Sequence, residues 1–238
     1  MRRPPTMADA TAARAAGLAA LARPGRRLIL GTASPARRAV LADLAREHGF
    51  EFAVLTADLD EKNLGLAVRA SGDALGLVTA LAAAKGDALA DRLDADAASS
   101  SSMPALLITA DQVVCRDERV DGAGPGDSIR EKPADDAQAA AWLVEYRTHP
   151  PSTLSALALT TWPDRRRVAG AHAATVVFVE GGVPDGEVAA VAASAMGCAG
   201  GLRVEGPAAP FVQRLEGGRD SVFGLPVDLL LSLAAELG

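Results

Sequence analysis

Leu28-Ile29-Leu30-Gly31-Thr32-Ala33-Ser34-Pro35-Ala36-Arg37-Arg38 is the stretch on which the fold class turns. Three aliphatic residues in a row read as a short buried strand, and Gly31, Thr32 and Ala33 as a small-residue turn. Ser34 and Pro35 then read as the N-cap and first position of a helix running to about His48. Strand, tight loop and helix in that order are the opening unit of an α/β protein.

Working outward, a second strand is expected at Phe50 to Leu55, followed by an acidic turn, Asp58-Leu59-Asp60-Glu61-Lys62. Apolar residues at helical spacing through Leu77, Leu81, Ala84 and Leu89 predict a helix from about Asp73 to Leu93, and Ser99 to Ser102 read as a solvated loop. Ala105 to Ile108 is the most clearly buried strand, continued by Val113 and Val114 beyond Asp111. A Gly-rich loop, Asp121 to Asp127, leads to Glu131-Lys132-Pro133. Asp135 and Asp136 open a helix through Tyr146, where the helix dipole favours acids. Thr153 to Thr161 and Arg167 to Val179 read as strands joined at Pro163-Asp164 in hairpin fashion. A helix from about Asp185 to Ala195, a Gly-rich loop at Gly197 to Gly201 and a closing helix from Pro226 follow. Alternating strands and helices with one β-hairpin imply an α/β fold with a mixed sheet.

Composition removes several functional classes. The 238 residues carry a net charge of −6 and are 49% hydrophobic but only 3% aromatic, with roughly a fifth alanine. Sheets covered by Ala-rich helices suit that diet. Acidity and scarce aromatics argue against a nucleic-acid polymer as partner, because such surfaces need a basic patch and stacking rings. Cys115 and Cys198 form neither a disulfide framework nor a metal clip, and three histidines give no zinc spacing. No apolar run reaches the length that crosses a bilayer, so neither a membrane partner nor secretion is expected, and a cytoplasmic protein is. Residues 1–26 stand apart. Arg2, Arg3, Arg14, Arg23 and Arg26 face one acid, Asp9, which suits either a frayed or helical extension or an organelle transit peptide.

Chemistry concentrates at few positions. Small residues at Gly31 to Ala33 let a backbone approach an anion, a helix N-terminus aims N–H groups at it, and Arg37 and Arg38 supply guanidinium groups. Ser34 adds a hydroxyl, although a plain capped helix with solvated arginines explains the same residues. Neither a P-loop nor G-x-G-x-x-G occurs. Asp111 is the sharper signal, since an ionised carboxylate between apolar runs is costly unless paired or bound to metal. Lys85 in an Ala/Leu helix, Lys132 before Pro133, and the Asp60, Glu61 pair complete an inventory suited to phosphoanhydride chemistry with a divalent cation.

As a set these residues resemble the Maf family of nucleoside triphosphate pyrophosphatases, the septum-formation-inhibitor proteins, from about Leu28 to Leu229. The pieces stand in family order: the opening stretch from Leu28, Asp-Leu-Asp-Glu from Asp58, Ala-Ala-Ala-Lys ending at Lys85, and Ile-Thr-Ala-Asp-Gln-Val-Val from Ile108. Glu-Lys-Pro at Glu131, Ala-Gly-Gly-Leu-Arg-Val-Glu-Gly from Ala199 and Val-Phe-Gly-Leu-Pro from Val222 complete them. The resemblance implies a two-lobed mixed twisted sheet flanked by helices, inosine-triphosphate-pyrophosphatase-like, with the nucleotide cleft between the lobes. It assigns 27–238 to the domain and 1–26 to the extension. The implied reaction is metal-dependent hydrolysis of a nucleoside triphosphate to monophosphate and pyrophosphate. Asp111 would accept the proton and, with Glu61, hold Mg²⁺ or Mn²⁺. Arg37, Lys85 and Lys132 would hold the triphosphate, with Thr32 and Ser34 lining the loop. A homodimer is implied by the resemblance alone.

Three positions in this family resemble substrate selectors. Members acting on dTTP and UTP carry Arg, Thr and Gln where this chain has Ala36, Gln112 and Glu205. Gln112 and Glu205 match the branch associated with 7-methyl-GTP, while Ala36 matches neither. A carboxylate at 205 suits the N1–H and amino edge of a guanine and a methylated, cationic ring. The expected substrate is therefore 7-methyl-GTP or a similar modified nucleotide. The alternatives are dTTP or UTP, or a non-catalytic nucleotide-binding regulator of cell division. The family's Ser-Gly-Arg-x-His stretch is degraded here to Arg147-Thr148-His149-Pro150-Pro151, which reads as a surface turn, and Trp142 and Tyr146 read as core.

Overall fold

A computed structural model describes residues 7–97, 103–115 and 129–238. The serine run to Ser102, the Asp121 to Asp127 loop and Arg2 and Arg3 lie outside the described residues. A helix, α1 (Met7–Leu21), precedes β1 (Arg27–Gly31) and α2 (Pro35–His48). There follow β2 (Ala53–Leu55), α3 (Leu66–Ser71), α4 (Ala74–Ala97), β3 (Ala105–Cys115) and β4 (Ile129–Arg130). α5 (Asp136–Glu145) leads into the hairpin of β5 (Ser152–Trp162) and β6 (Arg167–Phe178), then α6 (Asp185–Ser194). Two 3-10 turns, Ala199–Gly201 and Gly206–Phe211, lead to β7 (Val212–Glu216), α7 (Arg219–Val222) and α8 (Val227–Leu237).

The strands form one mixed sheet in the order β2-β1-β3-β5-β6-β7, with β4 also on β3. β1 runs parallel to both β2 and β3, and the other pairs are antiparallel. Period-two alternation sorts the sides of β3. Leu106, Ile108 and Ala110 pack with Leu41 and Leu44 of α2 and with Leu230, Leu231 and Leu233 of α8. Leu107 and Val113 turn the other way, toward Leu89 and Leu93 and toward Leu77 and Leu81 of α4. A separate cluster joins α5 and α6 to β6 through Leu143, Val176, Val188 and Val191, which makes the second lobe.

β3 is one unbroken strand that runs through Asp111 to Cys115. Parallel pairing with β1 stops at Gly31 opposite Thr109, and β4 joins the same edge only at Val114. The strand edge from Ala110 to Val113 is left open between them, and the cleft forms at that fork. β2 is shorter than the expected Phe50 to Leu55, and α3 and β7 had no apolar periodicity to announce them. The N-terminal extension is helical over Met7–Leu21, with Ala20 and Leu21 buried among the α8 leucines. α1 and α8 touch so closely that a Cβ on Gly17 would meet the Leu231 carbonyl oxygen at 2.2 Å.

Candidate active site

The opening stretch folds for a local reason. Ser34 has extended backbone and accepts from the Arg37 N–H through Oγ at 3.4 Å, while Pro35 occupies the first turn of α2. Thr32 Oγ1 accepts from the Ser34 N–H at 3.0 Å. Both hydroxyls thus shape the turn as acceptors and keep their own O–H protons to donate. The turn delivers Arg37 to the open edge of β3, where its Nη1 donates to Ala110 O at 2.9 Å and its Nε to Gly224 O at 3.1 Å. Burial lowers its pKa, against the pull of Asp111 and Glu61.

α4 explains Lys85. Leu77, Leu81, Lys85, Leu89 and Leu93 fall four apart on one buried face, so the ammonium is carried inward with the leucines. It finds Asp111 Oδ1 at 2.7 Å and Glu61 Oε1 at 3.1 Å, with the Lys85 and Asp111 side chains only 10% and 11% exposed. Opposite Asp111 on β5 stands Ala156, whose small side chain leaves room for the pair. Burial raises the Asp111 pKa, Lys85 and then Arg37 oppose that, and Glu61 adds to it. Asp111 Oδ2 has no hydrogen-bond partner among the described residues.

A cavity of about 970 Å³ opens here, on the scale of small-molecule sites. The ten residues to which the resemblance gives a role all line it: Thr32, Ser34, Ala36, Arg37, Glu61, Lys85, Asp111, Gln112, Lys132 and Glu205, whereas Arg38, the second guanidinium of the opening stretch, does not. Pro133 is buried, which fixes the exposed Lys132 beside it. Gln112 is more committed than its sequence indicated: its Nε2 donates to Ser155 Oγ at 3.0 Å, Val222 O at 3.1 Å and Ser221 O at 3.2 Å. Only its Oε1 is left for a ligand. Glu205 is half-buried, with Arg203 Nε 3.6 Å from its Oε1.

Sequence reasoning gave no role to Arg69, Cys198, Arg203 or Phe223, which also line the cavity. Cys198 is a thiol whose pKa burial pushes up. Phe223 supplies one aromatic ring to the cleft lining. Trp162 lies elsewhere, buried with its Nε1 donating to Asp94 Oδ1 at 2.7 Å. Tyr146 is core, as expected, and with Trp142 it flanks the Arg130 guanidinium. Arg147 and His149 stay outside the cavity lining, Arg147 pairing with Asp185.

Among the described residues no group of three His, Cys, Asp or Glu side chains converges as a metal cage. Glu61 and Asp111, each with one oxygen on Lys85 Nζ, do supply two hard carboxylate donors to the same cleft. That set fits Mg²⁺ or Mn²⁺ shared with substrate phosphates, since such ions are held by one or two carboxylates with phosphate and water.

Fold and site together define an α/β protein whose cleft, beside the open edge of a central strand, gathers Arg37, Lys85 and Lys132 with Glu61 and Asp111. A family model described as Maf-like protein matches residues 27–237, and the chain belongs to that family. A dTTP/UTP pyrophosphatase of Pelotomaculum thermopropionicum is 30% identical over 213 residues, 89% of this chain and 96% of the relative. Nucleoside triphosphate pyrophosphatases of Streptomyces coelicolor and Salinispora tropica are each 32% identical, covering 90% and 89% of this chain and 92% and 84% of the relatives.

Proposed function

We propose that the protein is a nucleoside triphosphate pyrophosphatase that cleaves its substrate between the α- and β-phosphates, releasing the monophosphate and pyrophosphate. The observation that carries this reading is the buried Asp111–Lys85 pair lining a nucleotide-sized cleft, with Asp111 Oδ2 unspent. A water attacks the α-phosphorus and gives its proton to Asp111 Oδ2, while the bond to the bridging oxygen breaks and its electrons leave with pyrophosphate. Lys85 keeps Asp111 oriented through Oδ1 and limits how far burial protonates it. Arg37, with donors left beyond Ala110 and Gly224, and Lys132, also in the cavity lining, hold the triphosphate and take up charge on the leaving group. Glu61 and Asp111 would hold Mg²⁺ or Mn²⁺ with the phosphates, and the ion would acidify the water and neutralise phosphate charge.

The preferred base in this reading is 7-methylguanine. Glu205 lines the cleft and accepts two hydrogen bonds from the N1–H and amino edge of a guanine, and its charge favours a cationic ring. With its nitrogen committed, Gln112 acts through Oε1 and by holding the 221–222 backbone. A second reading, dTTP or UTP as substrate, draws on the names of two relatives, from P. thermopropionicum and Cupriavidus metallidurans. A panel of nucleotides scored by pyrophosphate release in Mg²⁺ and in Mn²⁺ separates them. Faster release from 7-methyl-GTP than from GTP, UTP or dTTP is expected. Equal or faster release from dTTP overturns the base assignment and leaves the reaction class intact.

A further inference from the structure

Arg37 and Arg69 line the cleft in opposite ways. Arg37 spends two donors on backbone and keeps the rest for a ligand. Arg69 has none to spare. Its Nε donates to Glu131 Oε2 at 2.7 Å and its Nη2 to Glu131 Oε1 at 3.0 Å and to Glu61 O at 2.8 Å. Its Nη1 donates to Lys62 O at 3.2 Å and to Leu64 O. All five N–H donors of a guanidinium are thereby used.

The acceptors belong to two separate segments of the chain, both of which contribute to the cleft lining. Glu61 and Lys62 are on the acidic loop, and Glu131 precedes Lys132 at the end of β4. Beyond Arg69 the loop is held by the Glu61–Lys85 ion pair at 3.1 Å and by Val68 of α3, partly buried against the Leu77 and Leu81 cluster. Glu61, Lys62 and Asn63 are exposed, and α3, which carries Arg69, has no fully buried residue. Gly65 and Gly72, with φ of +76° and +74°, bound α3 in left-handed conformations suited to glycine. One half-buried fork therefore ties the loop bearing the Glu61 carboxylate to the segment bearing Lys132. The same bidentate pair neutralises Glu131, whose charge would otherwise repel phosphates at Lys132.

We propose that Arg69 is a positioning residue: it sets the Glu61 loop against the Glu131–Lys132 segment and so fixes the span of the polyphosphate subsite. This rests on the pyrophosphatase reading for its functional meaning. Lysine cannot replace the fork, because its three donors radiate from one point and cannot serve five acceptors on two segments.

The test compares wild type with Arg69→Lys and Arg69→Ala by amide hydrogen exchange and by calorimetric titration with inorganic pyrophosphate in Mg²⁺. Exchange across residues 58–65 is expected to rise about tenfold in both variants, with β3 amides unchanged as the control for folding. Pyrophosphate is expected to bind about tenfold more weakly, and the KM for nucleotide to rise in proportion while kcat changes less. Unchanged exchange at 58–65, or faster exchange with wild-type pyrophosphate affinity, overturns the assignment. A wild-type protein that releases no pyrophosphate from any nucleotide overturns the pyrophosphatase reading instead. Exchange and pyrophosphate affinity then still decide the role of Arg69.

Discussion

Lys85 Nζ stands 2.7 Å from Asp111 Oδ1, and the two side chains are nearly removed from water. Each makes the other affordable, but removal is not symmetrical. Lys85→Met strands a buried carboxylate with only Arg37 to oppose its protonation. Asp111→Asn leaves Lys85 with Glu61 at 3.1 Å. Lys85→Met is therefore expected to cost about 3 kcal/mol of stability, and Asp111→Asn much less. Thermal unfolding of both variants checks this.

The same pair sets a pH dependence. The base must be ionised, and burial raises the Asp111 pKa above its ordinary 3.8. The acid limb of kcat/KM is expected to have its midpoint above that value and to move higher still in Lys85→Met. Stability carries the opposite sign. Between the ordinary and the raised pKa the fold keeps a proton that the unfolded chain has lost, so stability falls as pH rises through that window. Asp111→Asn is expected to flatten that slope, which melting curves across the acid range read directly.

Base selection is assigned mainly to Glu205. Glu205→Gln is expected to lower kcat/KM for 7-methyl-GTP by about tenfold or more, because the neutral amide loses one acceptor and the charge that favours a cationic ring. Rates with UTP are expected to change far less. A uniform loss across nucleotides would instead mark Glu205 as part of the general binding surface.

Gly17 tests the docking of α1. Alanine in a helix gains up to about 1 kcal/mol over glycine by propensity. A Cβ at 2.2 Å from the Leu231 carbonyl oxygen has no room, and overpacking of that kind costs about 1–3 kcal/mol. The overlap wins, so Gly17→Ala is expected to lower Tm. The Arg14–Asp228 pair beside it is too exposed to compensate.

What the sequence revealed follows the strength of each residue's physical anomaly. Asp111 and Lys85 are charges in apolar rows, and an anomaly of that size is visible without a structure. The opening strand, turn and helix carry their own caps. Arg69 shows no such signal, because its helix is short, buries nothing, and most of its acceptors are backbone carbonyls. The commitment of the Gln112 nitrogen was hidden for the same reason, since two of its partners are carbonyls over a hundred residues away. α1 docks through a glycine, whose value lies in an absent side chain, and only the packed pair displays it.

The most direct test of the account is the product balance of nucleotide hydrolysis in Mg²⁺ or Mn²⁺, measured for wild type and for Asp111→Asn with matched melting curves. Wild type is expected to release one pyrophosphate per monophosphate formed, and folded Asp111→Asn to lose that activity. Nucleoside diphosphate with inorganic phosphate as products, or a wild-type rate from Asp111→Asn, would contradict it.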